Sequence, residues 1–372
     1  MKQKNLLVLG AAAVVLLGAG VWLSAHRAQQ GNLGGGAVFP DLKAALGEVG
    51  EVRLSKGDGS RTTLRKGAGG WTVVERNYPA DGNRVRELVM NLVAMKVIER
   101  KTSDPANYAK LGVEKPDSPT ASSTLLEVVA GKKTWSLIVG KGAEGRAIYV
   151  RKPDDAASAL AEPAVTADPD QKRWLDRAII DLPGADVHDI SVKPAAGPAY
   201  LLTRARRGDA DLALSPIPKG RTAASAMSID GQAEALVALN FDDVRVLPAA
   251  PPAATDRATY RTFDGQVFEF SGHRDPQKAY VSVSASHDAA LAAEFAAPAP
   301  AAVPAADSAK PAEPAKPAAQ PAVDVERLAA RAKGVEYEIP IYKYESIFKP
   351  QEELLEKNAA PAAAKKTLPT KK

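Results

Sequence analysis

A pattern of strands followed by a helix in Val49–Lys101 constrains the fold of this chain most. Apolar residues first recur as in β-strands on either side of the turn signal Lys56–Gly59. From Val85 onward they recur at helical spacing, and Asp81 or Asn83 is placed to cap that helix. The pattern predicts a small antiparallel sheet with an amphipathic helix over one face.

A weaker copy of this pattern returns in Val187–Leu247. The hairpin that follows the first pattern also returns, around the turn signal Asp264-Gly265. The sequence therefore predicts an α+β fold: an N-terminal transmembrane helix, then two related antiparallel-sheet-plus-helix units that arose by internal duplication. The apolar positions that match between the copies are Val49, Val52, Leu54, Val89, Leu92 and Val97 with Val187, Ile190, Val192, Leu236, Leu239 and Val244.

The N-terminus contains an uncharged run, Leu6–Ala25, preceded by Lys2 and Lys4. About 20 apolar residues in a helix span a bilayer core. A cleaved signal peptide is the alternative, but the run is longer than a usual signal core and Leu23 is bulky for a cleavage site. We therefore expect a single-pass membrane anchor, with the N-terminus in the cytoplasm and the bulk of the chain outside.

The tail contains an Ala/Pro tract, too poor in large apolar residues to form a core. After it, Val335–Tyr344 alternates like a strand but holds Pro340, which favours an edge strand. We expect this strand to complete the sheet of the second unit. The predicted segments are 1–28 (cytoplasmic stub and anchor), 29–38 (Gly-rich spacer), 39–183 (first unit), 184–295 (second unit), 296–322 (disordered linker), 323–357 (closing helix-strand-helix) and 358–372 (basic disordered tail).

The chemical inventory of the chain favours a protein that is not an enzyme. Cysteine is absent, which excludes disulfides and thiol catalysis. A net charge of +5 without a dense basic stripe gives little support to nucleic-acid binding. Asp170–Leu182 is predicted to be a short helix, and its Asp176 and Asp181 are expected to be exposed rather than a catalytic pair. We assign no catalytic, cofactor-binding or metal-binding residue, and no cofactor.

Three features suggest a ligand but have a simpler interpretation. Gly140–Gly145 has several glycines, yet it lacks the phosphate-loop order and joins two predicted strands, so we expect a hairpin loop. His188 lies beside Asp189, but nothing indicates a converging ligand set. Trp71 and Trp135 fall in predicted strands, where packing is the expected role.

The chain resembles the bacterial proteins that carry the domain of unknown function 4340. The resemblance covers most of residues 1–350, and it implies a single-pass envelope component in a bacterial inner membrane, with the bulk of the chain periplasmic. Some such proteins are associated with ABC-type export systems of the gliding-motility kind. It supplies no catalytic residues. The residues that carry it are the anchor and Gly70–Val73, Tyr78–Asp81, Ile98–Thr102, Tyr108 with Leu111-Gly112, Ile138–Gly140, Tyr149–Arg151, Trp174–Arg177 and Tyr337–Pro340.

The leading functional hypothesis is a membrane-anchored accessory or scaffold protein that offers sheet edges or grooves to a protein partner in the envelope. The alternative is a periplasmic binding module for cell-wall or exported polysaccharide, which would need exposed aromatics in one groove. An envelope hydrolase ranks last, because it would need a cleft with converging carboxylates.

Overall fold

The computed structural model describes residues 35–209, 211–249, 252, 255–295 and 323–356. The chain divides into two compact units, Met1–Asp176 and Arg177–Lys372. Each unit is built around one large sheet in which all neighbouring strands are antiparallel.

The first unit contributes nine strands to its sheet. In β6 every second residue is buried, as expected where one face of a sheet turns to the core. The strands are β1 (Val49–Ser55), β2 (Arg61–Gly67), β3 (Gly70–Val73), β4 (Tyr78–Pro79), β5 (Lys96–Arg100), β6 (Thr124–Ala130), β7 (Lys133–Gly142), β8 (Ile148–Arg151) and β9 (Ser158–Glu162). Their order is β4-β3-β2-β1-β6-β7-β8-β9-β5.

Helix α1 (Gly82–Ala94) covers part of the first unit's core. The Asp81 carboxylate accepts the backbone N–H groups of Asn83 and Arg84 at 3.0 and 3.3 Å, which satisfies two of the free donors at the helix start. The buried face of the helix has the 3.6-residue spacing that the sequence predicts. It consists of Val85, Leu88, Val89 and Leu92.

The second unit has a main sheet of eight strands and a separate two-stranded one, formed by β10 (Ala178–Ile180) and β14 (Leu239–Asn240). The main strands are β11 (Val187–Lys193), β12 (Tyr200–Thr203), β13 (Ala213–Ser215), β15 (Asp243–Val246), β16 (Asp256–Thr262), β17 (Gln266–Asp275), β18 (Lys278–His287) and β19 (Val335–Ile339). Their order is β13-β12-β11-β16-β17-β18-β19-β15.

The two main sheets follow one another strand for strand. Leaving out the short β4, the first sheet runs β3-β2-β1-β6-β7-β8-β9-β5, so β5 and β15 hold the same position at the end of the order. In both units the end strand precedes the central hairpin in the chain: β5 comes before β6 and β7, and β15 comes before β16 and β17. The chain therefore crosses the sheet to reach the end strand. The outer side of β5 can therefore be compared directly with the outer side of β15.

The remaining helices are short. Tyr344 and Phe348 pack on β17 at Gly272, where an added Cβ would lie 2.6 and 2.5 Å from their rings. The α-helices after α1 are α2 (Tyr108–Leu111), α3 (Ala226–Asp230), α4 (Ala289–Phe295), α5 (Val325–Ala332) and α6 (Ile341–Ile347). The 3-10 helices are Leu42–Glu48, Val74–Arg76, Pro105–Asn107, Gln171–Trp174, Gly184–Asp186, Ala233–Leu236 and Gln351–Leu354.

The prediction of an α+β fold is wrong, because the described chain is mostly antiparallel sheet with few helices. The helix expected in the second unit is not formed: Leu236 ends a 3-10 turn, while Leu239 and Val244 lie in β14 and β15. Ala238 adopts a φ of 47°, in the left-handed region that interrupts a right-handed helix.

The helix predicted over Asp170–Leu182 is also wrong. That segment contains the 3-10 turn Gln171–Trp174 and then β10. The adjacent residues Trp174 and Leu175 are both buried, whereas an amphipathic helix would bury residues three or four positions apart. Tertiary packing therefore overrides the helical pattern here.

The predicted anchor, Leu6–Ala25, lies outside the described residues, as do the linker 296–322 and the tail 358–372. Within the described ranges no helix combines the length and the apolar character needed to cross a bilayer.

The expectation that the strand near Tyr337 completes the second sheet is confirmed, since β19 pairs with both β18 and β15. The expectation that it is an edge strand is wrong. The strand ends at Ile339, and Pro340 is the N-cap residue of α6, where it does not have to donate to the ladder.

Candidate functional site

His188 is part of an ion-paired and aromatic environment. Its Nδ1 lies 2.7 Å from Oδ2 of the buried Asp189, whose Oδ1 accepts a hydrogen bond of 2.9 Å from Arg261 Nε. Its ring centroid lies 5.2 Å from that of Phe263 and 4.6 Å from that of Phe295. In the described part of the chain, no three His, Asp or Glu residues are grouped so that they could hold a metal ion.

The other described histidines have local roles. His287 Nε2 lies 3.0 Å from the backbone oxygen of Asp264, at the β16–β17 turn. The ring of His273 stacks on that of Tyr280 in the neighbouring strand, with centroids 5.2 Å apart. Both contacts are within the second sheet or its turns.

The glycine-rich stretch Gly140–Gly145 contains the end of β7 and the start of the loop to β8, and the two strands pair as the predicted hairpin. Gly140 has a packing reason to lack a side chain: an added Cβ would lie 2.5 Å from the backbone oxygen of Leu111 and 2.8 Å from that of Gly112. The glycine thus allows close approach of the turn after α2.

The described tryptophans, Trp71, Trp135 and Trp174, lie in the first unit. Trp135 and Trp174 are buried, so the expected packing role of Trp135 is confirmed. Trp135 Nε1 donates to Asp41 Oδ1 at 3.0 Å, and Trp174 Nε1 donates to the backbone oxygen of Asp168 at 2.7 Å. Trp71 is half-buried in β3.

A groove of about 350 Å³ lies beside α1 in the first unit. Its two arginines are already paired: Arg84 Nε lies 3.1 Å from Asp81, and Arg173 Nε lies 3.2 Å from Asp168. The groove therefore offers no guanidinium group without a carboxylate partner. Its lining residues are Arg84, Glu87, Leu88, Asn91, Thr166, Arg173 and Trp174.

A cavity of about 500 Å³ in the second unit has the buried Arg204 at its wall and three carboxylates around it, those of Asp209, Asp230 and Glu234. Arg204 Nη1 donates to the backbone oxygens of Gly184 and Val187 at 2.8 and 3.0 Å. These bonds tie β12 to the turn before β11, which is a structural role.

The second sheet ends in β15, and no described strand pairs with its outer side. Leu247 N–H donates to Gly334 O at 2.9 Å on the β19 side, so alternation along an antiparallel ladder turns the peptide groups of Val244 and Val246 outward. Val244 N–H instead donates a hydrogen bond of 2.8 Å to Asp243 Oδ1. Val246 is 77% exposed.

The side of this strand that faces β19 is held by an ion pair whose carboxylate is buried. Arg245 Nε donates to Oε1 of Glu336, its direct cross-strand partner on β19, at 2.5 Å. The Arg245 guanidinium also lies over the ring of Tyr280, 3.7 Å from its centroid, in a cation–π contact. The end strand is thus firmly attached to its own sheet.

The equivalent end of the first sheet is covered. Gly35 N–H donates to Val97 O at 2.7 Å, and Val97 N–H donates to Gly36 O at 3.0 Å. Val38 N–H donates to Met95 O at 2.9 Å, and Ala37 forms an antiparallel bridge with Lys96. An extended segment of small residues therefore lies along β5, where β15 has none among the described residues.

Sequence reasoning missed this site because it assigned Val244 to a helix. Val244 and Val246 are β-branched and alternate with Asp243 and Arg245, a signal for a strand. Its position at the end of the sheet depends on the order of eight strands, which no local pattern contains.

Comparison with known proteins identifies a family and nothing more specific. Residues 71–262 match the family described as Domain of unknown function (DUF4340), and this match covers more than half of the 372 residues. Neither the curated proteins nor the solved structures contain a match to the chain. The matched range begins in β3 and ends in β16, so it includes parts of both units and the strand β15. The chain belongs to the family of the domain of unknown function 4340.

Proposed function

We propose that this chain is a membrane-anchored, non-catalytic accessory or scaffold protein of the bacterial envelope, which binds a protein partner by adding a strand to its second sheet along β15. One observation carries the proposal: the equivalent strand of the first sheet, β5, is covered by the extended segment Gly35–Val38, whereas β15 has no such cover among the described residues. Peptide groups that face outward at a sheet edge are a template for another chain.

Because Gly35 is attached to β5, the anchor would limit the distance between the first sheet and the membrane. Ten residue steps separate Ala25 at the end of the apolar run from Gly35. A fully extended chain rises by roughly 3.3–3.6 Å per residue, so the first sheet would lie within about 35 Å of the anchor's end. In this proposal the anchor holds the first unit close to the inner membrane on its periplasmic side.

The larger complex that the family resemblance suggests for this chain is an ABC-type export system. A polysaccharide-binding role has less support, because Tyr342 is the one aromatic among the strongly exposed large apolar side chains of the described residues. Sugar binding by stacking would require several such rings along one groove.

Site-specific photo-crosslinking in native membranes tests the proposal. A photoreactive phenylalanine analogue is placed at Val246 and, as the matched control, at Ile98, an exposed apolar position of β5. A discrete protein adduct is expected from position 246 and not from position 98. Equal adducts at both positions, or none at 246, would contradict binding at this edge.

The anchor is tested separately. The full chain should stay in the membrane pellet after alkaline extraction, and a protease added to the periplasmic side should reach the second unit. Replacing Leu6–Ala25 by a cleavable signal should release the chain into the soluble fraction. Release of the unaltered chain by alkaline extraction would overturn the anchored orientation.

A further inference from the structure

We infer that the strand which β15 takes up is β15 of a second copy of this chain, paired antiparallel about a two-fold axis at Val244. The inference rests on the proposed function, because it names the occupant of the same edge. It makes the protein a homodimer with a sheet continuous across the two second units.

Charge complementarity selects this register. With Val244 opposite its own copy, Asp243 stands opposite Arg245 of the second copy, and the same pair recurs on the other side of the axis. These positions are non-hydrogen-bonded pairs, where cross-strand Cα atoms are about 4.5 Å apart and side chains meet most closely. Two opposite-charge pairs therefore flank the central pair of valines.

Neighbouring two-fold registers are unfavourable. An axis at Arg245 would place two arginines opposite each other, and like charges in that position repel. An axis at Val246 would place Pro248 opposite Val244 in the hydrogen-bonding row, where proline has no N–H to donate. An axis at Asp243 would place two aspartates opposite each other, which is unfavourable for the same reason. The sequence of the strand thus favours self-pairing about Val244 over the registers centred on Asp243, Arg245 or Val246.

The side chains around the edge are compatible with this pairing. Arg245 uses Nε for Glu336, and among the described residues its Nη1 and Nη2 donate to no other group, so they can meet a second carboxylate. In the dimer, Val244 N–H would donate to the backbone oxygen of the second Val244. In the single chain the Asp243 carboxylate accepts a hydrogen bond of 2.8 Å from that N–H. In the dimer it would accept one from Arg245 of the second copy instead.

A charged end strand can also serve to prevent association. Like charges at both positions would repel in the registers centred on Asp243, Val244 and Arg245 alike. Asp243 and Arg245 instead have opposite signs and lie two residues apart on one face of the strand, so they repel when the axis lies at either of them and attract when it lies at Val244. This arrangement favours a specific self-pairing over general protection.

The absence of cysteine from the chain allows a direct test. Asp243→Cys and Arg245→Cys are made in separate full-length chains with different tags, co-expressed, and oxidised in the membrane with copper phenanthroline. The mixed disulfide should exceed either like-with-like disulfide by about fivefold, because only the mixed pair has Cα atoms within disulfide range. The matched control is Glu269→Cys with Ser284→Cys, on the same sheet face two or more strands from the edge.

A second variant keeps the inference testable if Arg245→Cys does not fold. Asp243→Lys leaves the Arg245–Glu336 pair in place and puts like charges across the proposed axis. Self-association of the full chain in detergent, measured by analytical ultracentrifugation, should weaken by about tenfold. Glu269→Lys makes the same charge change away from the edge and should leave self-association unchanged.

The outcomes separate this inference from the proposed function. A mixed-disulfide yield no higher than the Glu269/Ser284 control, or equal self-association of Asp243→Lys and the unaltered chain, would overturn the second-copy inference. If the photoreactive group at Val246 then captures a different protein, β15 binds a strand from another chain. If it captures nothing, the edge proposal fails as well.

Discussion

Glu336 and Arg245 are direct cross-strand partners on β19 and β15, and they share a hydrogen bond of 2.5 Å although their exposure differs greatly. The Glu336 side chain is 3% exposed and that of Arg245 is 44% exposed. The carboxylate is therefore withdrawn from water, and the arginine lies between it and the solvent, flat against Tyr280. A buried charge of this kind depends on its partner far more than an exposed one does.

Removing the arginine should destabilise the second unit. Arg245→Met leaves the Glu336 carboxylate buried without its charged partner, and we expect a loss of about 2–3 kcal/mol in the free energy of unfolding at pH 7. Urea denaturation followed by circular dichroism measures it. Arg274→Met is the matched control, because its partner Glu345 is exposed, and it should cost less than about 0.5 kcal/mol.

A double variant identifies the cause. Arg245→Met with Glu336→Gln removes the charge as well as its partner, so the double variant should be more stable than Arg245→Met alone. Equal stability of the two would show that the arginine acts by packing on Tyr280 rather than by pairing with the carboxylate.

Asp41 should contribute to the acid stability of the first unit. Hydrogen bonds from Lys133 and from Trp135 Nε1 lower the pKa of its carboxyl from 3.8 to about 2. Because the folded pKa is depressed, the contribution is complete above about pH 4 and is lost as the pH falls toward 2. The melting temperature of Asp41→Asn should therefore lie below that of the unaltered chain at pH 5 and approach it near pH 2. A difference that stays constant over this range would contradict the assignment.

Gly272 is predicted to be intolerant of a side chain. A Cβ there would lie 2.5 Å from the ring of Phe348 and 2.6 Å from that of Tyr344, closer than real contacts allow. Gly272→Ala should destabilise the second unit by about 1–3 kcal/mol, because α6 must move away from β17. Gly142→Ala is the control in the first unit, since no atom lies within 4 Å of its added Cβ. Equal denaturation midpoints for the two variants would count against this packing.

Local patterns were sufficient for the elements whose residues make contacts near in sequence. The Asp264-Gly265 turn forms as predicted, with Gly265 at a φ of 76°, and Asp81 caps α1. These features depend on backbone conformation and on hydrogen bonds between residues a few positions apart, so the local sequence is enough to predict them.

The end strands could not be predicted in this way. In β5 four of five residues are exposed, so the strand has no apolar alternation, and its pairing with β9 joins residues about 60 positions apart. In β15 a single buried valine fitted both a helical and an alternating pattern. The candidate site depends on which strand comes last in the sheet, and only the tertiary order decides that.

Truncation after Phe295 should unfold the second unit and leave the first one intact. The truncated chain lacks β19, which separates β18 from β15, and it loses the buried Tyr337, Ile347 and Leu354. Burial of each large apolar side chain contributes about 1.5–3 kcal/mol, so these three alone approach the typical stability of a whole domain.

The four tryptophans make the two units separable in this experiment, because all of them precede Arg177. The thermal midpoint from tryptophan fluorescence should be unchanged by truncation, while the β-sheet signal in far-ultraviolet circular dichroism should fall by roughly half. Deleting only 297–320 keeps β19 and is the matched control, which should retain the full signal. A truncated chain with the same circular dichroism amplitude and midpoint as this control would show that the second sheet does not need its closing strand.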